Sequence, residues 1–198
     1  CAVGARCRPM QILPGVHGSA QMIGDTGNSD TKHWLDAELR SDHAGETGAV
    51  AIYSGILAAT SDPELISFAL DHRETEMRHL ALVEEWVPVA GRSRLLFAWR
   101  MAGFATGYLP AFFGQNAVYA TIDAVETFVE QHYSAQIDRL ATHEDQAGLK
   151  SLLVRCRDDE IKHRNQARGR AAGPVGFFLN AWCQLVSIGS AGAVALAR

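Results

Sequence analysis

Two Glu-x-x-His motifs are the residues of this sequence whose types and spacing could bind metal. They are Glu76 with His79 and Glu160 with His163. Three residues make just under one helical turn, so both side chains of each motif would project from one helix face. Chance alone gives roughly 0.4 such pairs in a chain of this composition, so a second motif carries more weight than the first.

Each motif has a further glutamate on the helix predicted before it. Glu46 lies 30 residues before Glu76, and Glu126 lies 34 residues before Glu160. The pattern indicates an internal duplication with an offset of 80 to 84 residues. A carboxylate-bridged di-metal site in a four-helix bundle takes one Glu from each of two helices and a Glu-x-x-His from each of the other two.

The ligand chemistry of this set favours iron or manganese. Four carboxylates neutralise two divalent ions, and an oxygen-rich set without thiolates is less typical of zinc. Burying four glutamates without cations would cost more than a domain's whole stability margin. The predicted metal ligands are Glu46, Glu76, His79, Glu126, Glu160 and His163.

For each of the four glutamates, the alternative interpretation is a solvated acid on the protein surface. The small residues Gly45 and Gly48 beside Glu46, and Phe128 beside Glu126, are unusual neighbours for such an acid. On the fourth helix the main rival ligand is Glu130, one turn beyond Glu126. The remaining acids interpreted as surface residues are Glu74, Glu84, Glu85 and Glu144.

The elements that must position these residues are helices, because no run of alternating apolar and polar residues predicts a strand. The predicted helices cover Thr31 to Ala59, Pro63 to about Trp86, about Ser93 to Phe113, Gly114 to about Ala141, a stretch after Asp145 to about Gly169, and a stretch after Pro174 nearly to the end. Short linkers make neighbouring helices antiparallel. The predicted class is all-α.

Composition bounds the class of protein. The 198 residues form one domain at 31–198, preceded by a disordered leader or processed remnant at 1–30. A net charge of -4 argues against nucleic acid as a partner. Four scattered cysteines form no CxxC pair and no disulfide scaffold.

Two stretches lack charge altogether, between Arg100 and Asp123 and between Arg170 and Arg198. By length either could span a bilayer. Gly107 and Pro110 interrupt the first, however, so we expect helices that lie in the membrane interface or cover a hydrophobic channel rather than full spans. Buried core helices are the alternative.

The sequence resembles the demethoxyubiquinone hydroxylases, the ferritin-like di-iron monooxygenases of ubiquinone biosynthesis. The resemblance runs from about Trp34 to the end of the chain. It rests on Leu39–Ala49 (LRSDHAGETGA), Glu76–His79 (EMRH), Val125–Glu126 with His132–Tyr133, and Arg157–His163 (RDDEIKH). The family's ligands fall on the same six residues, which would act catalytically through the metals.

The resemblance implies a function and its cofactors. Two iron ions would activate O₂, one oxygen atom would enter the ring of a polyprenylated demethoxybenzoquinol, and the other would leave as water. Electrons would come from NADH, with no Gly-x-Gly-x-x-Gly site to bind it. The chain would be a peripheral membrane protein on the cytoplasmic face of a bacterial inner membrane or, alternatively, on the matrix side of the mitochondrial inner membrane. A lipid-binding partner protein is implied, and a homo-oligomer stays open.

Residues around the ligands carry weaker predictions. Asp159 could hold the distal N–H of a histidine ligand, with a solvent-facing acid as the alternative. His132 and Tyr133 could line the quinone entrance or relay electrons and protons, with an ordinary helix-surface pair as the alternative. His43 stands out by position only. The histidines interpreted as surface residues are His17, His33, His72 and His143.

Two other functions fit parts of the sequence. A ferritin- or rubrerythrin-like bundle shares the ligand set but oxidises iron or removes peroxide, and it has no reason for two lipid-like helices. A non-catalytic membrane-associated helical module would leave the acids solvated. Metal content separates this module from the other two, and quinone products separate the hydroxylase from the iron-handling bundle.

Overall fold

Six α-helices form most of the chain that the computed structural model describes, residues 29–172 and 176–198. No strand occurs in these two ranges, so the all-α prediction is confirmed. The leader predicted at 1–30 lies outside the described residues except for its last two, which begin the first helix. The helices are α1 (Ser29–Ala59), α2 (Pro63–Glu84), α3 (Leu96–Ala111), α4 (Gln115–Arg139), α5 (Ala147–Arg170) and α6 (Phe177–Ala197).

Helices α1, α2, α4 and α5 form the four-helix bundle. The α1 helix packs on α2, and α4 packs on α5. Two apolar clusters fill the bundle, one around Ile56, Phe68 and Ile122 and the other around Val83 and Leu153. On each of the four helices the predicted ligands lie between the parts that contribute to the two clusters. The bundle therefore holds its polar centre between two apolar layers.

The helix ends follow local hydrogen bonding. The Asp62 side chain accepts hydrogen bonds from the backbone N–H groups of Glu64 and Leu65, which caps α2 where predicted. The third helix begins at Leu96 and not near Ser93, because Ser93 Oγ accepts from the Leu95 N–H and from Trp99 Nε1, both at 3.2 Å, and holds a turn. This correction shortens α3 to 16 residues.

Glycines bring α3 close to α1. A Cβ atom built on Gly103 would collide with the backbone carbonyl of Gly48, and one on Gly107 would collide with that of Ile52. A Cβ on Gly55 would likewise meet the α3 backbone at Phe104. The two backbones are therefore in direct contact, which only glycine permits.

Helix α3, the turn that follows it, and α6 leave large apolar side chains exposed, among them Phe97, Phe113, Phe177 and Phe178. On α6 only Val186 and Ala197 are buried, so this helix is not a core helix. It packs on α4 and α1. In the contact with α4, Trp182 Nε1 donates to Thr121 Oγ1 at 3.0 Å.

Of the described helices, only α6 is long and apolar enough to cross a membrane, judged by length and composition alone. Its 21 residues extend about 32 Å, whereas the 16 residues of α3 extend about 24 Å. The expectation that either apolar stretch could span a bilayer by length is therefore wrong for the first. That these helices lie in the membrane interface stays a prediction.

Candidate metal centre

The structure brings all six predicted ligands together in the middle of the bundle. None of the six is more than 5% exposed. They come from four helices: Glu46 from α1, Glu76 and His79 from α2, Glu126 from α4, and Glu160 and His163 from α5. This is the arrangement that the internal duplication predicts.

The six side chains form two overlapping groups, and the donor atoms of each group lie within 4.8 Å of one another. The first group contains Glu46 and His79 and the second contains Glu126 and His163, while Glu76 and Glu160 belong to both. If each group held one ion, the two ions would share Glu76 and Glu160. We call the other two pairs the Glu46 half (Glu46 and His79) and the Glu126 half (Glu126 and His163).

Several donor atoms at the centre have no hydrogen-bond partner. His79 Nδ1 lies 3.0 Å from Glu160 Oε1, and His163 Nδ1 lies 3.0 Å from Glu76 Oε1, but neither contact has hydrogen-bond geometry. Glu46 Oε2 and both Glu160 oxygens are also buried and unpartnered. Buried polar atoms are rarely left unpaired, so these atoms fit metal ligands. An oxygen-rich set with two imidazoles suits iron or manganese.

The electrostatics of the centre point the same way. Burial, together with the charges of Glu76 and Glu160, raises the pKa of the Glu46 and Glu126 carboxyls well above the usual value. Burial alone would also raise the pKa of Glu76, but contact with His163 and His79 lowers it to about 2. Four carboxylates this close repel one another, and two divalent cations would neutralise them.

Two tyrosines donate hydrogen bonds to the unshared glutamates, and they do so reciprocally. Tyr53 of α1 donates to Glu126 Oε1 of α4 at 2.7 Å, and Tyr133 of α4 donates to Glu46 Oε1 of α1. Burial and the neighbouring carboxylates raise the pKa of both phenols well above the usual value, so both stay protonated and donate. Tyr133 is therefore buried beside the centre, which excludes the helix-surface alternative for this residue, and its role at the quinone entrance or in electron and proton transfer stays a prediction.

Sequence reasoning missed Tyr53, although a signal was present. Tyr53 follows Glu46 by seven residues, and Tyr133 follows Glu126 by the same number. The duplication that relates the glutamates therefore relates the tyrosines as well.

His72, interpreted from the sequence as a surface residue, is buried. Its Nδ1 lies 3.1 Å from Tyr53 Oη and its Nε2 lies 2.8 Å from Gln166. Its ring stacks on the ring of His163, with centroids 4.0 Å apart. Burial and the neighbouring His163 lower the pKa of His72 to about 4, so its ring is neutral at neutral pH. The correction matters because His72 contacts both Tyr53 and a predicted ligand.

Asp159 lies where the sequence predicted, behind a histidine ligand. Its Oδ2 is 3.3 Å from His79 Nε2, and its Oδ1 is 2.7 Å from the exposed Lys162 ammonium. A carboxylate in this position fixes the imidazole orientation and strengthens its electron donation.

His132 belongs to a separate polar cluster next to the centre. His132 Nε2 lies 3.0 Å from Asp42 Oδ1, and Gln136 Nε2 donates to the same oxygen at 2.7 Å. The buried Glu38 of this cluster accepts from Arg198 at 2.8 Å, which ties the end of α6 to α1. His43 is also buried, and its Nε2 lies 3.3 Å from Glu84.

The acids interpreted as surface residues lie outside the centre. Glu130, the rival to Glu126, is partly exposed and pairs with Arg164. Glu84 pairs with Arg92. The others are exposed: Glu74, Glu85 and Glu144.

A small cavity of about 50 Å³ opens beside the centre. Glu46, Glu126, His132 and Tyr133 line one side, and Val194 of α6 lines another. Helix α6 therefore borders the cavity next to the predicted ligands.

Comparison with known proteins gives one family and several relatives. The family described as "Ubiquinone biosynthesis protein COQ7" matches residues 33–197. A Rhodospirillum rubrum protein named 3-demethoxyubiquinol 3-hydroxylase is 36% identical over 149 residues, which cover 71% of this chain and 69% of that protein.

Two further relatives are named NADPH-dependent 3-demethoxyubiquinone 3-hydroxylase, mitochondrial. The one from Dictyostelium discoideum is 33% identical over 65% of this chain and 61% of its own length. The one from Homo sapiens is 33% identical over 72% of this chain and 67% of its own length. The chain thus spans about three fifths to seven tenths of the length of these curated relatives.

Proposed function

Because this chain belongs to the ubiquinone biosynthesis protein COQ7 family, we propose that it hydroxylates the ring of a polyprenylated demethoxybenzoquinol with O₂. The observation that carries the proposal is the buried cluster of four glutamates and two histidines with unpartnered donor atoms. One oxygen atom enters the ring, the other leaves as water, and a reduced nicotinamide supplies two electrons. The proposed enzyme is a 3-demethoxyubiquinol 3-hydroxylase.

The six ligands divide the work of holding two iron ions. Glu76 and Glu160 would be shared by the two ions, and each half would add one carboxylate and one imidazole. Iron held there would activate O₂ with the electrons that the nicotinamide supplies. Tyr53 and Tyr133 keep the unshared carboxylates oriented, and the apolar layers of the bundle exclude water from them.

The surface supports a substrate that lives in lipid. Exposed phenylalanines on α3 and α6 give the chain an apolar face of the kind that marks a membrane contact. The cavity beside Glu46 and Glu126, which Val194 of α6 borders, marks the side from which we expect the quinol ring to approach the centre. An iron-storage or peroxide-removing bundle, the alternative function, has no use for such a face.

The reductant and the location belong to the same proposal. The sequence resemblance implied NADH, whereas relatives are named NADPH-dependent. Both nicotinamides are therefore to be compared with the purified chain. We propose peripheral association with a membrane that contains the quinone pool, on the cytoplasmic face in a bacterium or on the matrix face in a mitochondrion.

Complementation tests the proposal. The chain is expressed in cells that lack the hydroxylase, and quinones are extracted and analysed. Restored ubiquinone, together with its absence for Glu160→Ala expressed at equal level, supports the function. Accumulated demethoxyubiquinone in cells that contain the folded, iron-loaded chain would contradict it.

A further inference from the structure

The internal duplication allows the two halves of the centre to be compared position by position. Offsets of 80 and 84 residues relate Tyr53 to Tyr133 and Glu76 to Glu160. Both tyrosines donate to an unshared glutamate, so this feature is the same in the two halves. Any difference in metal affinity must come from the positions where the duplication is broken.

The first broken position lies directly before the shared glutamates. Asp159 precedes Glu160 and contacts Nε2 of His79 at 3.3 Å, which supports the Glu46 half. Thr75 precedes Glu76, and its hydroxyl donates to the Asp71 carbonyl at 3.4 Å. The carboxylates that reach His163 in the described part of the chain are the ligands Glu76 and Glu160 themselves. His163 therefore lacks the anionic partner that His79 has.

The second broken position lies four residues before each shared glutamate. It holds Cys156 before Glu160 and His72 before Glu76. His72 stacks on His163, one ligand of the Glu126 half, and contacts Tyr53, which donates to the other ligand, Glu126. A stacked imidazole ring restrains the orientation of His163 but does not add the negative charge that a carboxylate provides.

From these differences we propose that the two halves bind metal unequally: the Glu46 half, with Asp159 behind His79, binds first and more tightly, and the Glu126 half, supported by His72, binds second. Carboxylates hydrogen-bonded to a ligating imidazole are worth about 10–100-fold in metal affinity, which sets the expected gap. The inference rests on the two-ion centre of the proposed function. It makes Asp159 and His72 positioning residues that act through His79, His163 and Tyr53.

Titration of the metal-free chain with Co²⁺, followed by visible absorbance and by equilibrium dialysis, tests the inference. The unmodified chain is expected to bind two equivalents with dissociation constants about 10–100-fold apart. D159N is expected to weaken the first equivalent by about the same factor and leave the second unchanged. His72→Phe keeps an aromatic ring beside His163 and is expected to weaken only the second equivalent.

The matched control is D158N, because Asp158 is the exposed neighbour of Asp159 and pairs with Arg157. It is expected to leave both equivalents unchanged. Asp159 is itself partly exposed, so D159N is expected to fold. If His72→Phe does not fold, the result with D159N decides the test.

Several results would overturn the inference. One is that the unmodified chain binds both Co²⁺ equivalents with the same dissociation constant. Another is that D159N weakens the binding of both equivalents equally, and a third is that D158N has the same effect as D159N. Unequal binding in a chain that fails complementation would overturn the proposed function alone. A folded chain that binds no Co²⁺ would overturn both.

Discussion

At the residue scale, the ligands depend on one another because each has few other partners. Glu160 contributes two unpartnered oxygens to both groups, and His79 contributes an unpartnered Nδ1. Glu160→Ala or His79→Ala is therefore expected to abolish hydroxylation and to lower the iron content, because water alone cannot replace a ligand in a buried site. Product analysis and metal analysis of the purified variants measure the two effects.

Glu130→Ala is the matched control for the ligand variants. Glu130 lies one turn beyond Glu126, is partly exposed, and pairs with Arg164. This variant is expected to keep activity and iron close to those of the unmodified chain. An inactive Glu130→Ala beside an active Glu126→Ala would contradict the ligand assignment on α4.

The reciprocal tyrosines carry a second prediction. Tyr53→Phe and Tyr133→Phe each remove a buried donor to a ligand carboxylate. A hydrogen bond to a charged group contributes about 1.5–3 kcal/mol, so each variant is expected to lower the free energy of unfolding by about that amount. Urea unfolding of the iron-loaded proteins measures it. Because the tyrosines play equivalent parts, a loss confined to one variant would contradict the reciprocal arrangement.

The sequence predicted which six side chains meet at the centre but not all of the residues that contact them, and their role as metal ligands stays a prediction. Glu-x-x-His spacing determines a shared helix face, and four buried acids need metal, so the ligands follow from pattern and charge. The burial of His72 follows from the packing of α2 against α5 and α1, which a single polar residue type does not reveal. Tyr53 was within reach, because its spacing from Glu46 repeats that of Tyr133 from Glu126.

At the element scale, the contact between α1 and α3 depends on glycine. Gly103→Ala would place a Cβ against the Gly48 carbonyl, a backbone atom that cannot move without shifting the helix. We expect this variant to lower the free energy of unfolding by about 1–3 kcal/mol, the usual cost of overpacking. Gly189→Ala in α6, where a Cβ meets no atom within 4 Å, is the control. It is expected to stabilise slightly, because alanine favours helix.

The extent of α3 shows where sequence patterns stop being informative about elements. The sequence predicted a third helix from about Ser93, but Ser93 holds a turn through its hydroxyl and the helix is shorter. The N-terminal cap of α2 was predictable because Asp62 and Pro63 act on the helix start next to them in the sequence. Whether an apolar helix is buried depends on its neighbours, so the structure was needed to decide between an exposed α6 and a buried core helix.

At the scale of the whole molecule, metal removal and pH act together. In the metal-free centre, burial raises the pKa of Glu46 and Glu126 well above 4.5. Although burial opposes the rise, contact with Glu160 and Glu76 raises the pKa of His163 from 6.5 to about 10. Each group then contributes stability that is full below its unfolded pKa and is lost as the pH rises through its folded pKa. Bound metal displaces those protons. The difference in Tm between the metal-loaded and the metal-free chain is therefore expected to widen as the pH rises above 6.5 towards about 10. A constant gap in scanning calorimetry would contradict this.

The exposed apolar face predicts reversible membrane binding. Phe178 is 87% exposed and Leu185 61% exposed, and burying one such side chain yields about 1.5–3 kcal/mol. The chain is expected to co-sediment with liposomes and to be released by mild detergent but not by high salt. Phe178→Ser with Leu185→Ser is expected to weaken binding and to raise the KM for a long-tailed quinol more than for a short-tailed one.

Leu70→Ser on α2 is the control for the membrane prediction, because Leu70 is an exposed apolar residue of the bundle surface. It is expected to leave liposome binding unchanged. Equal losses of activity with long-tailed and short-tailed substrates in the α6 variant would mean that the exposed face serves stability and not substrate collection.

The crossed contacts between the unshared glutamates and the tyrosines obey the rule of a two-fold axis. Residue 46 meets residue 133 while residue 53 meets residue 126, which is how two identical copies touch across an isologous interface. The Glu and Tyr of these contacts are seven residues apart in both halves, so the same crossed pairing is encoded twice in one chain, as it would be encoded by two copies of a single helical hairpin.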